Sequence, residues 1–196
     1  MGLNLPLLLV LCVGTILLFI LERMGVPTTL DLHFKGDIKR ESRWLAQYGQ
    51  SVCTPDAALL VWQLDPKAGW QRPVTIVAAV LATSISCAIL KRLLGRVRPG
   101  REHAGQFLGP SLRHSNHRES FPSSHSACAV ALSTSLVFFY PQAAITLWAL
   151  AIICAALRYL LDAHWPSDIL AGSALGYLLS ALISARLPAH LAAFAH

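Results

Sequence analysis

From Ser126 to Leu157 the chain carries no charged residue. A helix crosses the bilayer core with about 20 apolar residues, so this stretch is too long for a single crossing. Pro141-Gln142 divides it, because proline breaks a helix and favours a turn. Comparable apolar runs cover Leu5 to Leu21, Pro73 to Leu90 and Ile169 to Ala185. Pro73 suits a helix start. Together these make five clear spans. A sixth, Trp44 to Leu64, is weaker because it carries Pro55 and Asp56. A carboxylate within a span is costly and usually faces the protein interior; the alternative is a surface-lying helix. The expected fold is all-α: a polytopic membrane helical bundle of six transmembrane helices, forming one domain over residues 1–196.

Composition agrees. The chain is 55% hydrophobic and 13% charged, against about a quarter charged in soluble domains. Cys12, Cys53, Cys87, Cys128 and Cys154 all lie in apolar stretches without a C-x-x-C pair, so they read as packing residues rather than disulfide or zinc ligands. Met1 to Leu5 lacks Lys or Arg and Leu21-Glu22-Arg23 is a poor cleavage site, so the first run is expected to be retained rather than removed as a signal peptide. Gly172, Gly176, Ser180 and Ser184 recur every fourth residue, a spacing that lets helices approach closely. Between the first two spans, Leu30, Leu32, Phe34 and Ile38 alternate with Lys35, Asp37, Lys39 and Arg40. That stretch is either an interfacial helix or a solvated loop.

The net charge of +6 is local: Lys91 to Glu119 holds seven Lys or Arg and two Glu, and four of the eight histidines lie between His103 and His125. A basic patch points to anionic partners, and in so apolar a chain nucleic acid is the least suitable of them. With six spans both termini share one side with Lys67, Arg72 and Arg186. The positive-inside tendency makes that side cytoplasmic. The Lys91 to Glu119 cluster then lies outside, against the tendency, which suggests that it serves a purpose there; the alternative is an inverted topology.

Three constellations emerge on that face. Lys91 and Arg98 are two helical turns apart, so one helix ended by Pro99 would aim both the same way. Two such cations suit a phosphate; the alternative is a basic cluster snorkelling at a helix end. Ser120-Phe121-Pro122-Ser123-Ser124-His125 opens the next span. A helix N-terminus binds anions through its N–H groups, Ser123 and Ser124 add hydroxyl donors, and His125 can donate a proton to a leaving oxygen. An ordinary cap beside an interfacial histidine is the alternative. Last come Arg158, His164 and Asp168. An Asp bonded to one imidazole nitrogen fixes the tautomer and frees the other nitrogen to attack; the alternative is a structural Asp–His pair. No carboxylate cluster suggests a divalent metal, so neither metal nor cofactor is expected.

At these residues the chain resembles the type 2 phosphatidic acid phosphatase superfamily, the lipid phosphate phosphatases. The family blocks K-x6-R-P, P-S-G-H and S-R-x5-H-x3-D correspond to Lys91 to Pro99, Pro122 to His125 and Arg158 to Asp168. Ser124 replaces the glycine of the second block, and Leu157 the serine of the third. The resemblance implies a six-helix membrane phosphatase domain that hydrolyses a lipid phosphate or diphosphate without metal. It implies that His164 is the nucleophile and forms a phosphohistidine, that Asp168 orients it, and that His125 protonates the leaving group. Lys91, Arg98, Ser123, Ser124 and Arg158 would hold the phosphate. Phosphatidate, phosphatidylglycerophosphate, an isoprenoid diphosphate such as undecaprenyl diphosphate, and a lipid A phosphate all suit. The alternatives are a lipid phosphotransferase using the same phosphohistidine and a non-catalytic lipid-binding or transport protein. The expected partners are the lipid phosphate and the bilayer, with no obligatory protein partner. The expected location is a bacterial inner (cell) membrane, with the site facing the periplasm or exterior.

Overall fold

The computed structural model of the chain describes residues 3–30, 36–50, 52–65, 69–111, 115–161 and 163–193. Among them are seven α-helices: α1 (Leu5–Arg23), α2 (Gly36–Leu45), α3 (Cys53–Leu64), α4 (Gln71–Leu94), α5 (Ser124–Phe139), α6 (Ala144–Leu160) and α7 (Pro166–Ala193). The fold is an all-α membrane bundle. α1, α4, α7 and the stretch Pro141–Leu160 are each long and apolar enough to cross a membrane. α5 is shorter, at 16 residues, and mostly buried, as suits a helix enclosed by others. α4, α6, α7 and the 3-10 turn Ala46–Gly49 pack around it.

The segment Trp44 to Leu64 is not one helix. α2 ends at Leu45, a 3-10 turn covers Ala46–Gly49, and α3 begins at Cys53. Twelve residues make α3 about 18 Å long, well short of a hydrocarbon core of about 30 Å. The segment still runs the length of α5. At one end Gln50 lies 3.3 Å from the His125 ring. At the other, Asp65 accepts a hydrogen bond of 2.9 Å from Tyr140 and pairs with Arg72 at 2.7 Å. Asp56 does not face the interior as expected of a carboxylate in a span. It is exposed in the first turn of α3, where a negative charge meets the positive end of the helix dipole. Of the mixed stretch before it, residues 36–45 form the exposed helix α2, with Arg40 paired to Asp37 and Glu41; residues 31–35 lie outside the described residues.

The small residues of α7 meet α5 directly. A Cβ on Gly176 would stand 2.1 Å from the Ala127 carbonyl oxygen, and one on Gly172 2.4 Å from that of Ser123. Further along, the Ser180 hydroxyl donates to the Ala131 carbonyl at 2.7 Å, and the Ser184 hydroxyl to the Ser135 hydroxyl at 3.2 Å. Backbone-to-backbone contact of this kind needs residues without side chains in the way. Gly176→Val should therefore push α5 and α7 apart and cost about 1–3 kcal/mol of stability, read as a lower thermal unfolding midpoint in detergent. An unchanged midpoint would show that this contact does not hold the bundle.

Candidate active site

One end of the bundle gathers the C-termini of α4 and α6, the N-termini of α5 and α7, and the last turn of α1. Lys91 sits in the last turn of α4, its Nζ donating to the Glu119 carbonyl at 2.9 Å. Arg98 is not on that helix, contrary to the two-turn alignment read from the sequence. α4 stops at Leu94 because Gly95 takes the left-handed conformation, φ 62°, the common way to end a helix. A Cβ at Gly95 would also stand 2.5 Å from the Gly109 carbonyl oxygen. Residues 96–98 then run extended, held by Val97 N–H to Gln106 O, Arg98 N–H to His117 O and Trp165 Nε1–H to Val97 O. This route still returns Arg98 to within electrostatic reach of Lys91. Burial pushes the Arg98 pKa down. The Nε groups of Arg98 and Arg158 are buried and have no hydrogen-bond partner among the described residues.

The first intrahelical bond of α5 runs from Ala127 N–H to Ser123 O at 3.0 Å. The N–H groups of Ser124, His125 and Ser126 therefore have no place in the helix ladder, and such a turn attracts an anion. Ser123 itself is fully buried, its hydroxyl 3.0 Å from that of Ser126 and its N–H bonded to the Asp168 carbonyl. These contacts make it the anchor of this turn. Gly49 lets the 46–49 turn lie against α5, since a Cβ there would stand 2.1 Å from the His125 carbonyl oxygen.

His164 lies in the turn between α6 and α7 and is 1% exposed. Its Nδ1 is 2.8 Å from the Ser120 carbonyl oxygen. A carbonyl only accepts, so Nδ1 carries the proton and Nε2 keeps its lone pair. Asp168 Oδ2 is 3.9 Å from Nδ1, beyond a hydrogen bond. The expected direct Asp–His bond is thus replaced by the Ser120 carbonyl, with Asp168 one layer behind. Asp168 accepts from Arg96 through Oδ1, and from the Ser120 hydroxyl and the Trp165 N–H through Oδ2. Burial pushes the His164 pKa down to about 4, although Asp168 opposes the shift.

The structure brings the three constellations together: His125 is within electrostatic reach of Arg158, His164, Lys91 and Arg98. Sequence reasoning missed Gln50, Arg96, Glu22 and the backbone of Ser120. Arg96 and Glu22 resemble ordinary charges beside a span, and only their burial sets them apart. The unassigned basic residues lie elsewhere or serve the loop. Arg101 and His103 are exposed, His117 bonds Ser115 at 2.7 Å, and Arg118 donates to the Leu108 and Gly109 carbonyls. Arg113, His114 and Asp162 lie outside the described residues. Among the described residues no three His, Cys, Asp or Glu side chains converge as metal ligands. Beside the site an apolar groove of about 690 Å³ opens between α1, α6 and α7, with Tyr159 and Pro166 in its lining.

Fold and site together define a helical membrane protein with a cation-rich cluster at one end of its bundle. Residues 72–190 match the PAP2 superfamily, and the chain belongs to it. The lipid A 1-phosphatase of Rhizobium johnstonii is 37% identical over 112 residues, which cover 55% of this chain and 46% of that protein. That of Rhizobium etli is 34% identical over 111 residues, 55% of this chain and 48% of the other. The chain thus spans about half the length of these curated relatives. A transmembrane PAP2-type phosphatidylglycerolphosphate phosphatase from Bacillus subtilis, known from its crystal structure, shares the fold. Its TM-score is 0.65 at 19% identity, over 91% of this chain and 94% of that one.

The state of His164 has a measurable consequence. Its folded pKa of about 4 lies below the ordinary 6.5, so between those values the unfolded chain binds a proton that the folded one does not. Stability from this group is present above 6.5 and is lost as pH falls toward 4. The thermal midpoint in detergent should drop across that window, and less steeply in His164→Asn. Equal slopes would contradict the buried neutral imidazole.

Proposed function

We propose that this chain is a metal-independent lipid phosphate phosphatase working through a phosphohistidine. The observation that carries the reading is the convergence of two imidazoles and three cations on the open first turn of α5. Lys91, Arg98 and Arg158 neutralise the phosphate, while Ser124 and the N–H groups of that turn bind its oxygens. His164 Nε2 attacks phosphorus, and the bond from phosphorus to the lipid oxygen breaks. His125 gives that oxygen a proton, then accepts one from the water that cleaves the phosphohistidine and frees inorganic phosphate. A neutral His164 keeps its lone pair for the attack at pH 7. The groove beside Tyr159 and Pro166 suits an acyl chain lying in the membrane. The named relatives favour lipid A 1-phosphate as the first substrate to try, with phosphatidylglycerophosphate, phosphatidate and undecaprenyl diphosphate beside it. The site faces the periplasm or exterior of a bacterial inner membrane in this reading.

Phosphate release from these four lipids by the detergent-solubilised protein tests the reading. Activity should persist in EDTA and fall with vanadate, which imitates five-coordinate phosphorus. His164→Ala should drop to background, and His125→Ala should lose about 10²–10⁴-fold. Full activity in either variant, or strict dependence on Mg²⁺, would sink the mechanism.

A further inference from the structure

Arg96 is the largest fully buried side chain in the protein among the described residues. Its side chain is 1% exposed, and its partners Glu22 and Asp168 are 2% and 0% exposed. A guanidinium is stable in such a place only with charge partners and hydrogen bonds. Its Nη2 donates to Glu22 Oε2 at 2.7 Å, and its Nη1 to the Ser167 hydroxyl at 2.7 Å and to Asp168 Oδ1. The rings of Phe19, Phe107 and Trp165 surround it, with centroids 5.3 to 5.5 Å from Cζ. Glu22 does more than pair. Its Oε1 accepts the Ser167 N–H at 3.0 Å, and its Oε2 also accepts the Ser167 hydroxyl. A carboxylate from the end of α1 thus caps the first turn of α7, the turn that carries Asp168.

The charges matter as much as the bonds. Two carboxylates and one guanidinium leave a net single negative charge behind His164. With Arg96 alone, the charge of Asp168 would be neutralised. Attack on phosphorus turns the His164 ring into a phosphoimidazolium, which a negative charge behind it stabilises.

We infer that Glu22 and Arg96 are positioning residues for the nucleophile: Arg96 clamps Asp168 behind His164, and Glu22 holds Arg96 while offsetting its charge. The inference rests on the phosphohistidine reading, and it extends the site to α1, outside residues 72–190.

The test uses the full chain in detergent, with steady-state kinetics on whichever of the four lipids it hydrolyses fastest and a thermal midpoint for each variant. Glu22→Gln keeps an oxygen for the Ser167 N–H and removes the charge. Its kcat should fall about tenfold or more while KM stays within about twofold. Glu22→Asp keeps the charge on a shorter side chain, so it should retain more of the kcat than Glu22→Gln. A purely structural role would make the shorter Glu22→Asp worse than the isosteric Glu22→Gln. Arg96→Lys keeps the charge but loses the two-pronged grip, so it too should lower kcat at constant KM. Wild-type kcat in Glu22→Gln, or a Glu22→Asp variant no more active than Glu22→Gln, overturns the inference and leaves the phosphatase reading standing. Wild-type kcat in Arg96→Lys overturns it even where Glu22→Gln does not fold. A wild-type chain that releases no phosphate from any of the lipids removes the phosphatase reading, and the inference with it.

Discussion

A carboxylate without solvent, that of Asp168, is the constraint around which the site end of the bundle is organised. Such a group is costly unless donors and opposite charge take up its oxygens. The donors here come from three places: Arg96 from the segment after α4, the Ser120 hydroxyl from the end of the following loop, and the Trp165 N–H from the turn before α7. The backbone of the same residue accepts the Ser123 N–H. Satisfying one carboxylate therefore fixes the α4–α5 loop against the start of α7. Arg96 carries the requirement onward, because its second nitrogen needs Glu22. That is how α1, which contributes no buried residue of its own to the core, is tied to the site.

Helix packing sets the same geometry from the other direction. Gly172 sits against the Ser123 backbone and Gly176 against Ala127, so α7 approaches α5 closely at the turn whose N–H groups lie outside the helix ladder. Moving α7 by the width of a methyl group would shift Asp168, and with it the Ser120 carbonyl that orients His164. The small residues of α7 are a packing device, yet they fix the distance between the first turn of α5 and His164. On the opposite side of α5, Gly49 brings Gln50 to His125 by the same means.

These relations explain which features could be read from the chain. The apolar runs around α1, α4, α5, α6 and α7 follow from composition and length, and proline at 141 separates α5 from α6. The signature residues could be recognised because their local spacing survives in any context. Three-dimensional placement was less legible. Lys91 and Arg98 look like one helical face until Gly95 ends the helix between them. Trp44 to Leu64 looks like a span because its apolar content is that of one, while the chain breaks between Leu45 and Cys53, where Gly49 lies against the His125 carbonyl. Glu22 and Arg96 are 74 residues apart, and a charge after an apolar run normally marks the membrane boundary. Only burial distinguishes an anchoring ion pair from a snorkelling one.

In the proposed reaction the site has an internal conflict. The cations that suit a phosphate, Lys91 and Arg158, lower the tendency of His164 to bear positive charge, and burial does so more strongly. A neutral imidazole favours the attack but not the phosphohistidine, since the bond to phosphorus leaves the ring cationic. A single exposed carboxylate nearby would be screened and of little help. A buried negative charge is felt much more strongly in the low-dielectric interior, but it must first be made tolerable there. Arg96 does this for Asp168 at the risk of neutralising it, and Glu22 restores the sign. The nucleophile then stands between a positive pocket that holds the phosphate and a negative network that receives the charge as it develops on the ring.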